Sequence, residues 1–460
     1  RDVEPSAVAR YASADADNTR RLWLEVMRPR LEEEGLMGVY RGIELPLVPV
    51  LARMEQNGVL IDEEKTSVAL TELNGLVVEA DGRAMTLLGP INIASHDQLA
   101  KALGEMGAPI RQRTHVKNLM ATDAASLMEA RDWNAPLIDA LLDRAKYQKL
   151  RGYVENFLEM RGEDGRVRAS FNQAGTWEDH GTTRPAPRTG RLSSSGPNLQ
   201  NIPNHVDDVW GRRIRSLIVA GRGRVLVACD VGQEEPRIIA QVADDRTLRD
   251  AFKSGTDIYR SVTVALYPYT DEIGLSDLEW KKEYEKERFV GKTFFLAYYY
   301  GAGPRRLQEL DPITFSDSLA RVALRSLSQN HPARQNYLER VGREAKRDGF
   351  VRTLFGRKIR VPEIWSPQPK VRAEGLRKAA NGIVQGTGAD VMKMALVRID
   401  EGIAGMEAKL VLTVHDEVVV ETVAEDVEEV VGIVRDSFAG YTEVELPVEC
   451  RVGENWGEMK

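Results

Sequence analysis

Over the first third of the chain, apolar positions fall into a helical pattern. Leu22, Leu24, Val26 and Met27 recur at near-helical spacing after Tyr11 and Asp15. Leu45, Leu47, Val48, Leu51, Met54 and Leu60 form a second apolar face, punctuated by the turn signal Asn57-Gly58. Ser95 reads as the N-cap of a helix over 98–106 that stops at Gly107. A long charged helix follows from Leu137 to Met160, where Arg144, Lys146, Lys149 and Arg151 alternate with apolar residues. Between Trp177 and Pro187 the period disappears, and the chain reads as a polar surface loop. It runs into RTGRLSSSGPNLQNIP over 188–203, rich in hydroxyls and amides that suit hydrogen bonding to phosphates, sugars and base edges.

The middle of the chain changes pattern. Val225-Leu226-Val227-Ala228-Cys229 is a continuous apolar run after a Gly/Arg turn cluster, which fits a buried strand. It ends on Asp230, and Gln233, Glu234, Glu235 and Arg237 follow at once. Residues 237–252 then read as one helix. Far downstream, two apolar runs flank His415-Asp416 and predict a hairpin with that pair at its tip. Asp416 thus repeats the arrangement of Asp230. A carboxylate at the exposed end of a buried strand suits Mg²⁺. Two of them on adjacent strands suit a metal pair about 3.5–4 Å apart for in-line phosphoryl transfer. The His-Asp pair also fits a hydrolase triad, but no Gly-x-Ser-x-Gly elbow accompanies it.

Two spaced sets lie on predicted helices. Arg288, Lys292, Leu296 and Tyr300 recur every four residues before the stop Gly301-Ala-Gly-Pro304. Such spacing winds slowly around a helix and spans roughly 18 Å. It places two cations at one end and an aromatic ring at the other, as a nucleoside triphosphate lying along the helix would require. An amphipathic helix with Phe294, Leu296 and Tyr298 in a core explains the same residues. Arg377, Asn381 and Gln385 sit at i, i+4 and i+8 and offer hydrogen-bond donors on one face. Minor-groove acceptors occupy similar positions in every base pair, so such a stripe would read duplex shape rather than sequence. A solvated helix face is the plainer reading.

Composition adds bounds. The chain has 460 residues, 42 % hydrophobic and 29 % charged, enough for two to four domains. No apolar run approaches the ~20 residues of a membrane span. Two cysteines, Cys229 and Cys450, speak against a disulfide framework or a zinc site and fit a reducing compartment. The chain opens on Arg1, which fits a fragment of a longer protein. Net charge is −7, so any polyanion partner must be met by local patches. One candidate is the basic run Arg340, Arg343, Lys346, Arg347, Arg352, Arg357, Lys358 and Arg360.

TGRLSSSGPNLQNIP, DVGQEEPR, RFVGKTFFLAYYYG, RKAANGIVQGTGAD and VHDE, in this order, resemble the family A DNA polymerases, the bacterial DNA polymerase I group and its phage relatives. TLFGRKIRVPEI and the final GENW resemble them too. The resemblance implies an α+β right-hand fold. Residues 1–43 would be the end of a 3′–5′ exonuclease-like domain, 44–165 the thumb, 166–250 and 350–460 the palm, and 251–349 the fingers. It implies DNA-templated DNA synthesis with two Mg²⁺ ions (Mn²⁺ as a substitute) on Asp230, Asp416 and the Val231 carbonyl. Glu417 would lie beside them and Lys292 would serve catalysis. The dNTP would meet Arg288, Lys292, Leu296, Tyr300, Gln233, Glu235 and Tyr259, with Glu235 as the gate against a ribose 2′-hydroxyl. Primer and template would meet Arg191, Asn198, Gln200, Asn201, Gly301, Arg377, Asn381, Gln385 and His415.

The resemblance further implies a monomer acting on primer–template DNA in the cytoplasm, without a membrane. Tyr11 and Asp15 resemble the last exonuclease motif, whose other carboxylates do not appear, so the chain is expected not to proofread. Departures from the family pattern fall at Val231, Gly232, Glu234, Pro236, Leu296 and Tyr259, and the 177–187 loop looks inserted. Two other readings stand beside this one. A single-subunit RNA polymerase shares the palm, and Glu235 argues against it. A non-catalytic DNA-binding relative would not need Asp230, Asp416, Arg288 and Lys292.

Overall fold

The computed structural model describes residues 4–114, 118–174, 176–177, 183–184, 187–203, 209–271, 274–304 and 316–459. The chain starts with α1 (Pro5–Arg21) and reaches α2 (Leu45–Asn57) through shorter helical turns. Gly58 ends α2 at φ +56°, a left-handed conformation that turns the chain into β1 (Val59–Ile61). Asp62 caps α3 (Glu63–Leu88), accepting from the Lys65 N–H at 3.0 Å, and Glu63 and Glu64 sit at the positive end of the helix. Buried Ala69, Leu73, Val77, Ala80 and Ala84 line one stripe of α3. Ser95 caps α4 (His96–Glu105), and Gly107 follows at φ +77°, as the spacing predicts. α5 (Ala135–Glu159), capped by Asn134, packs along α3.

β2 (Arg166–Val167) and β3 (Ile218–Val219) pair on either side of β1. In the segment read as a surface loop, Thr176–Trp177 pairs with Thr183–Arg184, and 178–182 and 185–186 lie outside the described residues. β4 (Arg224–Val231) is the predicted central strand. The helix expected over 237–252 is instead two, α6 (Glu234–Val242) and α7 (Arg246–Ser254). Asp244 breaks it at φ +53°, and Asp245 caps the second piece by accepting from the Leu248 N–H.

α8 (Glu285–Tyr299), α9 (Ala333–Asp348) and the 34-residue α10 (Pro369–Gly402) follow. β5 (Lys409–Val414) and β6 (Glu417–Val423) form the predicted hairpin, and α11 (Val427–Phe438) and β7 (Val448–Gly453) complete the chain. The main sheet is wholly antiparallel, in the order β5-β6-β4-β7. Helices stand apart from the sheets, an α+β architecture.

Three hydrophobic cores organise the described residues. The first joins the main sheet, the second half of α10 and α11 to α2, the start of α3 and the end of α5. The second gathers α6, α8, α9 and the middle of α10, and the third fills the far end of α3 and α5 around α4. No single helix among the described residues is long and apolar enough to cross a membrane. One expectation is corrected here. Register puts Cys229 opposite Cys450, their Cα atoms 4.1 Å apart, and the two form a disulfide between β4 and β7. Cross-strand register joins residues 221 positions apart, which spacing along the chain does not display.

Candidate active site

The ladder of the main sheet brings the two strand-end carboxylates together. Asp230 stands opposite Glu417 on one side and Glu449 on the other, and its side chain is exposed. One residue on, the Val231 N–H donates to the Asp416 carbonyl at 3.1 Å, so the pairing continues into the hairpin tip. The two turns that carry these groups each hold a non-glycine residue in the left-handed region, His415 and Gln233, both at φ +56°. Such backbone is uncommon and persists where its surroundings enforce it, often at functional sites.

Burial holds the Asp416 carboxyl above the ordinary carboxylate range, while His415, Arg191 and Lys292 lie close enough to pull it back down. Lys292 on α8 and Arg191 in the segment before Ser193 therefore already face the hairpin tip with positive charge. Two carboxylates and a neighbouring backbone carbonyl form an all-oxygen set that fits Mg²⁺, which takes its remaining ligands from water and substrate phosphates. Among the described residues no cluster of three or more acidic, imidazole or thiol ligands exists, so the fit rests on this pair.

Glu417 is turned to a different task. Its Oε1 accepts from the Trp456 indole N–H at 2.8 Å, and its Oε2 lies 3.7 Å from the buried Arg215 guanidinium. Arg215 stacks on the Trp456 ring at 4.1 Å and donates to the carbonyls of Ile202 and Pro203. The GENW segment thus braces the β4–β6 strand pair from below. Sequence reasoning missed Arg215; its place in an ordinary basic run held no signal.

The helix α8 carries both of its expected faces. Phe294, Phe295, Tyr298 and Tyr299 are buried in the second core, and Leu296 packs at its edge. The other face bears Arg288 and the exposed Lys292. Arg288 is aimed by Asp257, whose carboxylate accepts from Nε at 2.8 Å, and the Arg288 guanidinium lies 5.0 Å over the Tyr259 ring. Its two Nη nitrogens form no hydrogen bond among the described residues, which leaves them for a phosphate. Tyr259 itself is 1 % exposed, and its hydroxyl has no partner. Burial pushes that phenol well above its ordinary pKa. Tyr259 therefore supports Arg288 from behind and does not present its hydroxyl at the surface of the cleft.

Glu235 is the hub of the cleft. Its Oε1 accepts from Arg191 at 2.9 Å and from Gln385 at 3.4 Å, and its Oε2 accepts from the Tyr300 hydroxyl. Burial and the Glu235 carboxylate hold the Tyr300 phenol far above its usual range. Four separate segments meet on this carboxylate. Gly301, at φ +83°, sits beside Arg377: a Cβ there would lie 3.6 Å from the Arg377 Cγ. Asn381 is on the same α10 face, and its Oδ1 is buried without a partner.

Other predicted contacts turn inward. The Gln200 amide donates to the Thr413 carbonyl at 3.0 Å, and Asn198 caps the turn Leu199–Asn201 by accepting from the Gln200 N–H. Asn201 is exposed, and its carbonyl accepts from the Tyr153 hydroxyl. The basic run from Arg340 to Arg360 is mostly spent within the fold. Arg340 bonds the Val242 carbonyl, Arg347 pairs with Asp348, and Arg357 pairs with Asp390 and Glu44. Lys358 and Arg360 pair with Glu34, and Arg352 donates to the Glu34 and Gly356 carbonyls. Arg343 and Lys346 are left with no such partner among the described residues.

A sequence profile of DNA polymerase family A matches residues 64–458. DNA polymerase I of Pseudomonas aeruginosa is 34% identical over 458 residues, covering 97% of this chain and 47% of that protein. The thermostable DNA polymerase I of Thermus thermophilus is 33% identical over 443 residues, covering 95% of this chain and 50% of that protein. The chain spans about half the length of these curated relatives. The solved POL domain of Pol1 from M. smegmatis, in complex with DNA primer-template and dNTP, superposes with a TM-score of 0.81 at 28% identity. That superposition covers 93% of this chain and 72% of that one, and the architecture is accordingly the right-hand polymerase fold. With the five ordered motifs gathered around one cleft and these relatives at this coverage, the chain belongs to DNA polymerase family A.

Proposed function

We propose that this chain is a DNA-templated DNA polymerase that adds dNTPs to a primer 3′ end by two-metal phosphoryl transfer. The observation that carries the reading is the Asp230–Asp416 pair where β4 ends beside the tip of the β5–β6 hairpin, faced by Lys292 and Arg191. Two Mg²⁺ ions held by Asp230, Asp416 and the Val231 carbonyl would activate the primer hydroxyl and stabilise the leaving pyrophosphate. The chain's own groups do the positioning. Arg288, fixed by Asp257, and Lys292 clamp the triphosphate, and Leu296 packs along the sugar. Glu235, held by Arg191, Tyr300 and Gln385, crowds the 2′ position of an incoming ribose. Tyr300 and Gly301 meet the template base, and Arg377, Asn381, Gln385 and His415 track the nascent duplex. Glu417 acts as a positioning residue through Trp456 and Arg215.

In domain terms, the reading takes 44–165 as the thumb, 166–250 and 350–460 as the palm and 251–349 as the fingers, while the first core runs across thumb and palm and the second across palm and fingers. The reading includes action as a monomer and no excision of a mismatched 3′ end by this stretch of chain. Tyr11 and Asp15 stand exposed on α1.

Primer extension with Mg²⁺, offering dNTPs and rNTPs in parallel, tests the reaction class. Extension with dNTPs and at least ~100-fold poorer use of rNTPs is expected, since a filled 2′ position leaves no room for the hydroxyl. Preferential use of rNTPs would promote the RNA polymerase reading in its place.

A further inference from the structure

Arg343 and Lys346, the two cations of the basic run without partners among the described residues, point into one groove. It lies between α9 and the start of α10, with a volume of about 580 Å³, and Leu338, Leu376 and Arg372 line it with them. Glu339, the one carboxylate in the lining, accepts from the Gln335 amide at 2.7 Å. The groove starts at the template position proposed above: a Cβ on Gly301 would meet Arg377 at 3.6 Å and Leu338 at 3.9 Å. At its other end stands Trp365, 60 % exposed yet fixed in place. The indole N–H donates to the Lys346 carbonyl at 2.9 Å. The ring lies against Gly349, where a Cβ would come within 2.1 Å of it. Arg372 secures the following residues by donating to the Ser366 and Pro367 carbonyls, both at 2.8 Å.

An immobilised, exposed indole beside unpaired cations over an apolar floor is the chemistry of a single-stranded nucleic acid platform. Bases stack on the aromatic, phosphates meet the cations, and sequence hardly matters. A folded protein partner would gain little from two unpaired cations at the rim, and continuity with Gly301 and Arg377 favours the nucleic acid. We propose that this groove is the track of the unpaired 5′ template strand, with Arg343 and Lys346 on its phosphates and Trp365 stacked on a base ahead of the cleft. The proposal rests on the polymerase reading. From Leu338 to Gly349 the track runs about 16 Å, room for no more than about five nucleotides at 3.4 Å each.

The test measures the affinity for primer–templates whose 5′ overhang grows from one nucleotide to eight. Wild type is expected to gain about fivefold or more by five nucleotides and little beyond. Trp365→Ala removes most of that gain, Trp365→Phe keeps it, and abasic overhang positions erase the difference between wild type and Trp365→Ala. Arg343→Gln with Lys346→Gln lowers the salt dependence of overhang binding by about 0.7 per lost phosphate contact. Binding and single-nucleotide extension at a one-nucleotide overhang stay unchanged in all variants, which guards against misfolding. An overhang gain that survives both sets of changes, or no gain in wild type, overturns the track and returns the groove to a protein partner. Wild type that extends primers yet ignores overhang length refutes the track alone. Wild type that extends no primer at all refutes the polymerase reading beneath it.

Discussion

Glu234 carries a carboxyl group into the crossing of α6 and α10, where its Oε1 has no partner. It is 6 % exposed, and Gly388 makes room for it: a Cβ there would fall 2.7 Å from Oε2. Burial, and secondarily the Asp416 carboxylate, push its pKa from 4.5 up to about 8. The sign of the consequence follows from proton binding. Between pH 4.5 and about 8 the folded chain keeps a proton that the unfolded chain has lost, so stability falls as pH rises through that window. Below the window both states are protonated, and the effect vanishes. Glu234→Gln is expected to match wild type in urea unfolding near the acid end and to exceed it by on the order of a few kcal/mol near pH 8. Parallel pH profiles for the two proteins would contradict this account of the buried acid. In the sequence Glu234 showed as one of the polar residues after Asp230 and as a departure from the family pattern; its burial depends on α10, more than a hundred residues away.

At the scale of elements, local signals were well read and long-range pairings were not. The stripe on α8, the cap of α4 and the β5–β6 hairpin follow from spacing, because each is decided within a few residues. The brace under Asp230 is different. Glu417 on β6, Arg215 near β3 and Trp456 at the chain's end meet only when the sheet has formed. The same holds for Asp257, which aims Arg288, and for Cys229 and Cys450, which register alone brings face to face. The inward turn of Gln200 was equally hidden, since its partner Thr413 lies on β5. Trp456→Phe tests the brace. It keeps an aromatic ring but leaves the buried Glu417 oxygen without its donor, which costs about 1–3 kcal/mol in unfolding free energy. A shifted catalytic strand is expected to lower kcat by roughly 10- to 100-fold with little change in the KM for dNTP. An unchanged kcat beside the lost stability would confine the brace to folding.

Across the whole molecule, buried charge ties the parts together. Glu44, just before α2, accepts from Lys393 at 2.7 Å and also pairs with Arg357, and Arg357 reaches Asp390 at 2.6 Å. Thr353 and Gln173 complete the bonding of the two carboxylates. Such a network contributes little net stability against an apolar filling, but removing one member strands a buried charge. It locks the N-terminal helices to α10, whose other face carries Arg377, Asn381 and Gln385 toward the cleft. The α+β class and the family were legible from five ordered motifs, while the way three cores meet at one cleft was not. The central claim is that Asp230 and Asp416 serve chemistry and not DNA binding. The direct measurement is single-turnover incorporation of one dNTP by Asp416→Asn, with primer–template affinity determined on the same samples. The account predicts that the rate falls by about a thousandfold or more, while the affinity stays within about threefold of wild type. A variant that keeps its rate, or that loses rate and DNA binding in parallel, would contradict it.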